Sequence, residues 1–266
     1  MWGTGPVASS EASFVASVSH ELRTPLTTIQ MAAEVLFESR AEFPPDAQRA
    51  AELLVTEVER FELLLADLLE MSKFDAGDAR LVTEDIEMGA LVAKVVADLE
   101  PAAAVIESEV QVRPPSEPVV VEVDRVRIER VLRNLIVNAA THGGGQVSVV
   151  VRCTDGETPL SGLGVGPGRI PPAGPGVLVE VVDSGPGLPE DAQQVFERFW
   201  RADPSRARDT GGTGLGLAIA AEDVALHHGL LRAESNPGRG STFRVWLPRS
   251  PGGSSTDPST TVPPRP

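Results

Sequence analysis

The 266-residue chain has no tyrosine, one cysteine and few aromatic side chains of any kind, 4% in all. The lone Cys153 rules out an internal disulfide and fits a reducing compartment. Cations are also scarce: 23 Lys and Arg stand against 38 Asp and Glu, for a net charge of −15. Such a surface repels nucleic-acid phosphates and anionic membranes, so neither is an expected partner. No stretch reaches the roughly 18 consecutive apolar residues of a membrane span, and the start of the chain lacks a signal-peptide core. What the chain does have is 41% hydrophobic residues, enough for one or two modest packed domains.

The first such region is helical. Phe14, Val15, Val18, Leu22, Ile29, Ala33 and Leu36 recur at three- and four-residue spacing, predicting a helix from about Glu11 to Arg40 after a flexible leader, residues 1–10. Phe43-Pro44-Pro45-Asp46 breaks it, and a second stripe (Ala50, Leu53, Leu54, Val58, Phe61, Leu64, Leu65, Leu68, Leu69, Met71) predicts a helix to about Phe74. One antiparallel hairpin cannot bury both stripes, so the expectation is a homodimer closing a four-helix bundle over residues 11–76. Packing of the hairpin on the downstream region alone is the competing arrangement.

Within the first helix lies Ser19-His20-Glu21-Leu22-Arg23-Thr24-Pro25-Leu26. Pro25 has no N–H to give the carbonyl of Glu21, so the helix is expected to bend there. Neutral histidine is a nucleophile near pH 7, and a carboxylate that takes its Nδ1 proton strengthens Nε2. Thr24, one turn on from His20, can position a water.

From Asp75-Ala76-Gly77-Asp78 the pattern changes to mixed α/β. Strands are expected at Leu81–Ile86, Ile106–Val112, Val119–Val123, Gln146–Arg152, Val177–Val182, Leu231–Ser235 and Ser241–Leu247. Helices are expected at Met88–Leu99, Arg125–Thr141 and Leu215–His228, the middle one turning Val126, Val131, Leu132, Leu135 and Ile136 inward. This grouping predicts a helix layer on one face of a mixed sheet over residues 77–248. Residues 154–176 read as a flexible Gly/Pro-rich loop, and 249–266 as a disordered tail.

Four motifs in this second region carry chemistry. Asn134 and Asn138 share one helical face, and an amide carbonyl is a hard oxygen ligand suited to Mg²⁺ that is also held by phosphates. Asp183, at a strand end before Ser184-Gly185-Pro186-Gly187, can accept an adenine amino hydrogen while glycine backbone approaches the base. Val195 through Arg201 form an aromatic and basic patch before a loop holding Arg206 and Arg208, and Phe196 and Phe199 suit the base of a lid. Thr210-Gly211-Gly212-Thr213-Gly214-Leu215-Gly216-Leu217 opens a helix, where backbone N–H groups make an anion site. Four glycines in six residues would only weaken a helix otherwise.

With Asn236-Pro237-Gly238-Arg239-Gly240-Ser241-Thr242-Phe243, these motifs resemble the N, G1, F, G2 and G3 boxes of the histidine-kinase catalytic domain, and the eight residues around His20 resemble that family's phosphoacceptor box. The likeness spans about residues 11–248 and looks closest to MtrB-type actinobacterial sensor kinases. It implies an α+β chain: a dimeric helical hairpin, then a GHKL-type α/β sandwich shared with the Hsp90, gyrase and MutL ATPases. By this resemblance His20 takes the γ-phosphate of ATP, Glu21 is the general base and Thr24 assists dephosphorylation. Asn138 binds Mg²⁺, Asn134 lines the phosphate side and Asp183 binds adenine. Gly185, Gly187, Gly212, Thr213, Gly214, Leu215 and Gly216 shape pocket and lid. A response-regulator receiver domain is the implied phosphoryl acceptor, and the chain is expected to be the cytoplasmic portion of a protein that is membrane-anchored at full length. The family often carries a lysine and then a tyrosine where Thr141 and His142 stand, which removes a cation near the phosphates. Two other classes share parts of the pattern: a GHKL-type conformational ATPase, which would place a glutamate where Asn134 stands, and a non-catalytic dimeric scaffold.

Overall fold

The computed structural model describes residues 8–77, 79–105, 108–154, 175–189, 191–201, 213–236 and 238–250, without the side chains of 8–21, 23, 100–105 and 236. Helix α1 (Ala8–Glu38) passes through Pro25 without interruption, and α2 (Pro45–Asp75) starts with proline at its first position, where the missing N–H costs nothing. The helix therefore begins three residues before the expected Glu11. The two helices pack against each other through Leu26, Ala33 and Val58, flanked by Val55 and Leu65. Among the described residues of the predicted stripes, Leu22, Ile29, Leu36, Leu53, Leu54, Phe61 and Leu68 are exposed.

Beyond the hairpin come β1 (Glu84–Glu87), α3 (Met88–Val105), β2 (Glu109–Arg113), β3 (Val120–Val123), α4 (Arg125–His142), β4 (Gln146–Thr154), β5 (Gly176–Asp183), α5 (Gly216–Leu226), β6 (Leu230–Asn236) and β7 (Gly240–Pro248). The main sheet has the order β2-β4-β5-β7-β6, in which β2 and β4 are parallel and the other neighbours antiparallel. The first and third predicted strands do not join it. They pair with each other as a separate antiparallel ribbon, Glu84 opposite Val123.

Alternation builds the core. Val147, Val149 and Val151 of β4, Val177, Val179 and Val181 of β5, and Phe243, Val245 and Leu247 of β7 are buried at period two. Leu91, Val92 and Val95 of α3 belong to the same core, with Ile128, Val131, Leu132, Leu135 and Ile136 of α4. Val126 was expected among them and is instead 76% exposed. It lies about 200° around the helix from Ile128, which takes the inward place. Thr154 and Gly176 face each other at the ends of β4 and β5, and the loop expected between them, residues 155–174, lies outside the described residues. Order extends past Pro248: Arg249 donates its N–H to Pro175 O and accepts from Glu122 N.

No described helix is long and apolar enough to cross a membrane.

Candidate functional site

The predicted ligand residues come together along α4. Asp124 caps its start, accepting from Arg127 N at 3.1 Å. Asn134, in mid-helix, donates from Nδ2 to Gly216 O at 2.8 Å, which fixes the first turn of α5 against α4. Asn138, one turn further along the same face, is half-buried. Past the end of the helix, Gly143 O accepts from Ser184 N at 3.1 Å. A Cβ at Gly143 would stand 2.4 Å from that of Asp183, so only glycine lets this strand end approach the helix.

Asp183 is 5% exposed, and its Oδ1 accepts from Gly185 N at 2.9 Å and from Ser241 N at 3.0 Å. Both bonds fall on one oxygen, which leaves Oδ2 to accept from a ligand's amino group. The tight Gly240 next door has φ +97°, and a Cβ there would meet Asp183 O at 1.8 Å. Gly185 is buried and Gly187 takes φ 90° in the turn that follows.

At the other end of the site, Thr213 Oγ1 accepts from Leu215 N at 3.1 Å just before α5. Phe199, at φ 62°, donates its N–H to Gly214 O at 2.9 Å, with Gly214 at φ 72°. These two backbones join the ends of the expected lid. Phe196, expected at the base of that lid, packs edge-on against Phe243, ring centroids 6.2 Å apart. Gly212, Arg206 and Arg208 lie outside the described residues, as do the side chains of His20 and Glu21; their backbone is in α1. Thr24 is exposed on the same helix. The Leu215 side chain is 1% exposed, in a small core with Ile219 of α5 and Met71 of α2.

A charge network invisible to pattern reading braces this site. Asp223 of α5, fully buried, accepts from Arg127 Nη1, Arg130 Nε and Arg130 Nη2, each at 2.8 Å. Burial pushes its carboxyl up, against the pull of Arg130 and Arg127. Glu70 of α2 joins the same guanidinium groups at 2.9 and 3.4 Å. Burial would raise Glu70, but Arg130, Lys73 and Arg127 outweigh it and hold it below the usual range. His227, also fully buried, accepts at Nε2 from Asp124 N at 2.9 Å, so its proton sits on Nδ1 and is donated to Asp223 O at 2.7 Å. Burial depresses its pKa, opposed by the Asp223 carbonyl and nearby carboxylates. His142, where the resembled family often has tyrosine, is also depressed, first by burial and then by Arg201.

The residues present suit a Mg²⁺–nucleotide pair: the half-buried Asn138 amide, one turn beyond Asn134, offers a hard oxygen of the kind taken by a magnesium ion already carried by phosphates and water.

Residues 10–77 match the His Kinase A (phospho-acceptor) domain, and residues 123–251 match the histidine kinase-, DNA gyrase B- and HSP90-like ATPase domain. The sensor histidine kinase MtrB of Mycolicibacterium paratuberculosis is 45% identical over 236 residues, 88% of this chain and 39% of that protein. The sensor histidine kinase WalK of Bacillus subtilis is 37% identical over 240 residues, 88% of this chain and 36% of WalK. The chain thus spans about two-fifths of the length of these relatives. Among solved structures, full-length ShkA in complex with AMPPNP superposes with a TM-score of 0.69 at 23% identity, over 90% of this chain and 46% of ShkA. The histidine kinase AdeS of Acinetobacter baumannii gives 0.55 at 22%, over 86% and 98%. These last two establish the α+β fold; the domain matches and the sequence relatives show that the chain belongs to the sensor histidine kinases.

Proposed function

We propose that the chain is the phosphoryl-transfer portion of a sensor kinase: it binds ATP in the α/β domain, phosphorylates His20, and passes the phosphoryl group to an aspartate of a response-regulator receiver domain. Phosphatase activity on that regulator, with Thr24 assisting, belongs to the same reading.

The observation that carries it is the spacing of groups along α4. Gly143, against Asp183, and Asn134, against Gly216, are nine helical positions apart. At 1.5 Å per residue that separation is about 13 Å, the scale of a nucleoside triphosphate laid from base to terminal phosphate. Asp183 Oδ2 takes the adenine amine at one end, and the amides opening α5 take phosphate oxygens at the other. Asn138 between them would hold Mg²⁺, which neutralises phosphate charge when bound.

In the transfer step Nε2 of His20 forms the new N–P bond as the bond from the γ-phosphorus to the β,γ-bridging oxygen breaks, and ADP leaves with that electron pair. The Nδ1 proton passes to Glu21. Catalysis is otherwise positioning. Asn134 already donates to Gly216 O, and it offers no carboxylate to activate water, which separates this site from a hydrolytic conformational ATPase.

Two copies are expected to associate through the hairpins. Leu22, Ile29 and Leu36 of α1 and Leu54, Phe61 and Leu68 of α2 are exposed in one copy, and a second hairpin buries them as a four-helix bundle. Incubation with γ-labelled ATP tests the whole reading. The unaltered chain should acquire an acid-labile label; His20→Gln should abolish it while nucleotide still binds, and Asp183→Asn or Asn138→Ala should lose label through lost binding. Label persisting in His20→Gln refutes the assignment.

A further inference from the structure

One face of α2 meets the ATP-binding domain through residues at helical spacing: Asp67, Glu70, Met71, Phe74 and Asp75. Met71 and Phe74 pack on Leu215 and Ile219, the apolar centre of the contact. Two of the three carboxylates are matched by cations. Glu70 reaches Arg127 and Arg130, and Asp75 accepts from Arg198 Nη2 at 2.6 Å and Nη1 at 2.8 Å.

Asp67 differs. Its contact is a hydroxyl: Thr213 Oγ1 donates to Asp67 Oδ2 at 2.9 Å. The same hydroxyl accepts from Leu215 N at 3.1 Å, so the carboxylate is two hydrogen bonds removed from an amide at the start of α5. Burial holds this carboxyl above its ordinary range, with the Thr213 bond and Arg130 offsetting it only in part. Through the Thr213 hydroxyl a carboxylate of the helical hairpin thus reaches the start of α5, the end of the site read above as the phosphate end.

We propose that the Asp67–Thr213 contact makes this face of α2 a nucleotide-responsive clasp, in which Asp67 and the phosphates of ATP oppose each other, so that binding ATP loosens the hairpin from α5. The inference rests on the ATP reading above. Coupling of this kind is reciprocal: by whatever factor ATP weakens the docked contact, the docked contact weakens ATP binding. Like charges a few ångströms apart at a half-exposed surface change affinity by about fivefold, more for each added phosphate charge. Glu70 and Asp75, already neutralised, set the strength of docking without reporting on the nucleotide. Phosphates thereby release the α/β domain to move along the hairpin.

Affinities of the full chain for adenosine, ADP and AMPPNP test this in three forms: unaltered, Asp67→Asn, and Glu59→Gln on the exposed side of α2. Asparagine keeps an oxygen for the Thr213 hydroxyl and removes only the charge. Asp67→Asn should bind AMPPNP about fivefold tighter, ADP less so and adenosine equally, with Glu59→Gln like the unaltered chain. In the unaltered chain, amide hydrogen exchange across residues 67–75 should quicken when AMPPNP is added. Equal affinities for AMPPNP in Asp67→Asn and the unaltered chain, or a gain that is the same for adenosine, overturns the clasp while leaving the ATP site intact. An unaltered chain that binds none of the three overturns the ATP reading and the clasp with it.

Discussion

Replacing Asp223 by asparagine keeps the shape of the side chain and removes the charge that two arginines share. Asp223 is fully buried and accepts three hydrogen bonds of 2.8 Å from Arg127 and Arg130. Each bond to a charged partner contributes about 1.5–3 kcal/mol, and breaking a buried pair costs about 3–5 kcal/mol because a charge is stranded. Two features reduce the loss. Arg130 is 31% exposed and regains water, and Glu70 still faces both guanidinium groups. The expected cost is then about 3 kcal/mol, a fall in Tm of roughly 6–12 °C for a domain of this size. Urea unfolding of the full chain, followed by the fluorescence of buried Trp246, measures it. Nucleotide affinity should fall as well. Arg130 is one turn from Asn134 on α4, and Asp223 is two turns from Gly216 on α5, so the lost pairing loosens the register that the Asn134–Gly216 bond depends on. A loss below about 1 kcal/mol, with affinity unchanged, refutes the idea that this carboxylate holds the two helices together.

Gly240→Ala forces a Cβ onto Asp183 O and strains a residue at φ +97°, so adenine-nucleotide binding should drop at least tenfold, about 1.4 kcal/mol, by calorimetry; unchanged binding would remove Asp183 from the pocket. The pH dependence of stability should expose His227. Its folded pKa is depressed, so below about 6.5 the unfolded chain takes up a proton that the folded one refuses, and the stabilisation present above that pH is lost as pH falls toward the folded value. The slope from this group is at most about 1.4 kcal/mol per pH unit. Melting of the unaltered chain and of His227→Gln between pH 7.5 and 5.5 should show a shallower decline in the variant, and parallel curves would contradict the buried neutral imidazole.

Much of the candidate site's geometry was legible because its residue types are hard to explain otherwise. Glycines clustered at the start of a helix, asparagines four apart, and an aspartate closing an apolar strand each carry a local chemical signature, and the structure joins them through Gly143, Asp183 and Gly216. The strands read well for the same local reason, since alternation in β4, β5 and β7 follows directly from burial of one face. What could not be read depends on pairs distant in the chain. Asp223 meets its arginines across 93 and 96 residues, and Glu70 meets Arg127 across 57. Taken singly, each looks like an ordinary charge on a solvated helix. The same limit explains the β1–β3 ribbon: two short strands carry no mark saying which neighbour they choose. Val126 failed differently, because an apolar residue one position off the stripe is indistinguishable from a member of it until the helix is oriented.

The bond from Phe199 N to Gly214 O has a bearing on how such chains diversify. It ties together two residues in left-handed backbone, Phe199 at φ 62° and Gly214 at φ 72°, through main-chain atoms alone. Exchanging the Phe199 side chain leaves that tie available, whereas any residue but glycine at 214 is strained and brings a Cβ to 3.1 Å from Phe199 Cα. Among related chains the glycine should therefore persist where the aromatic partner drifts.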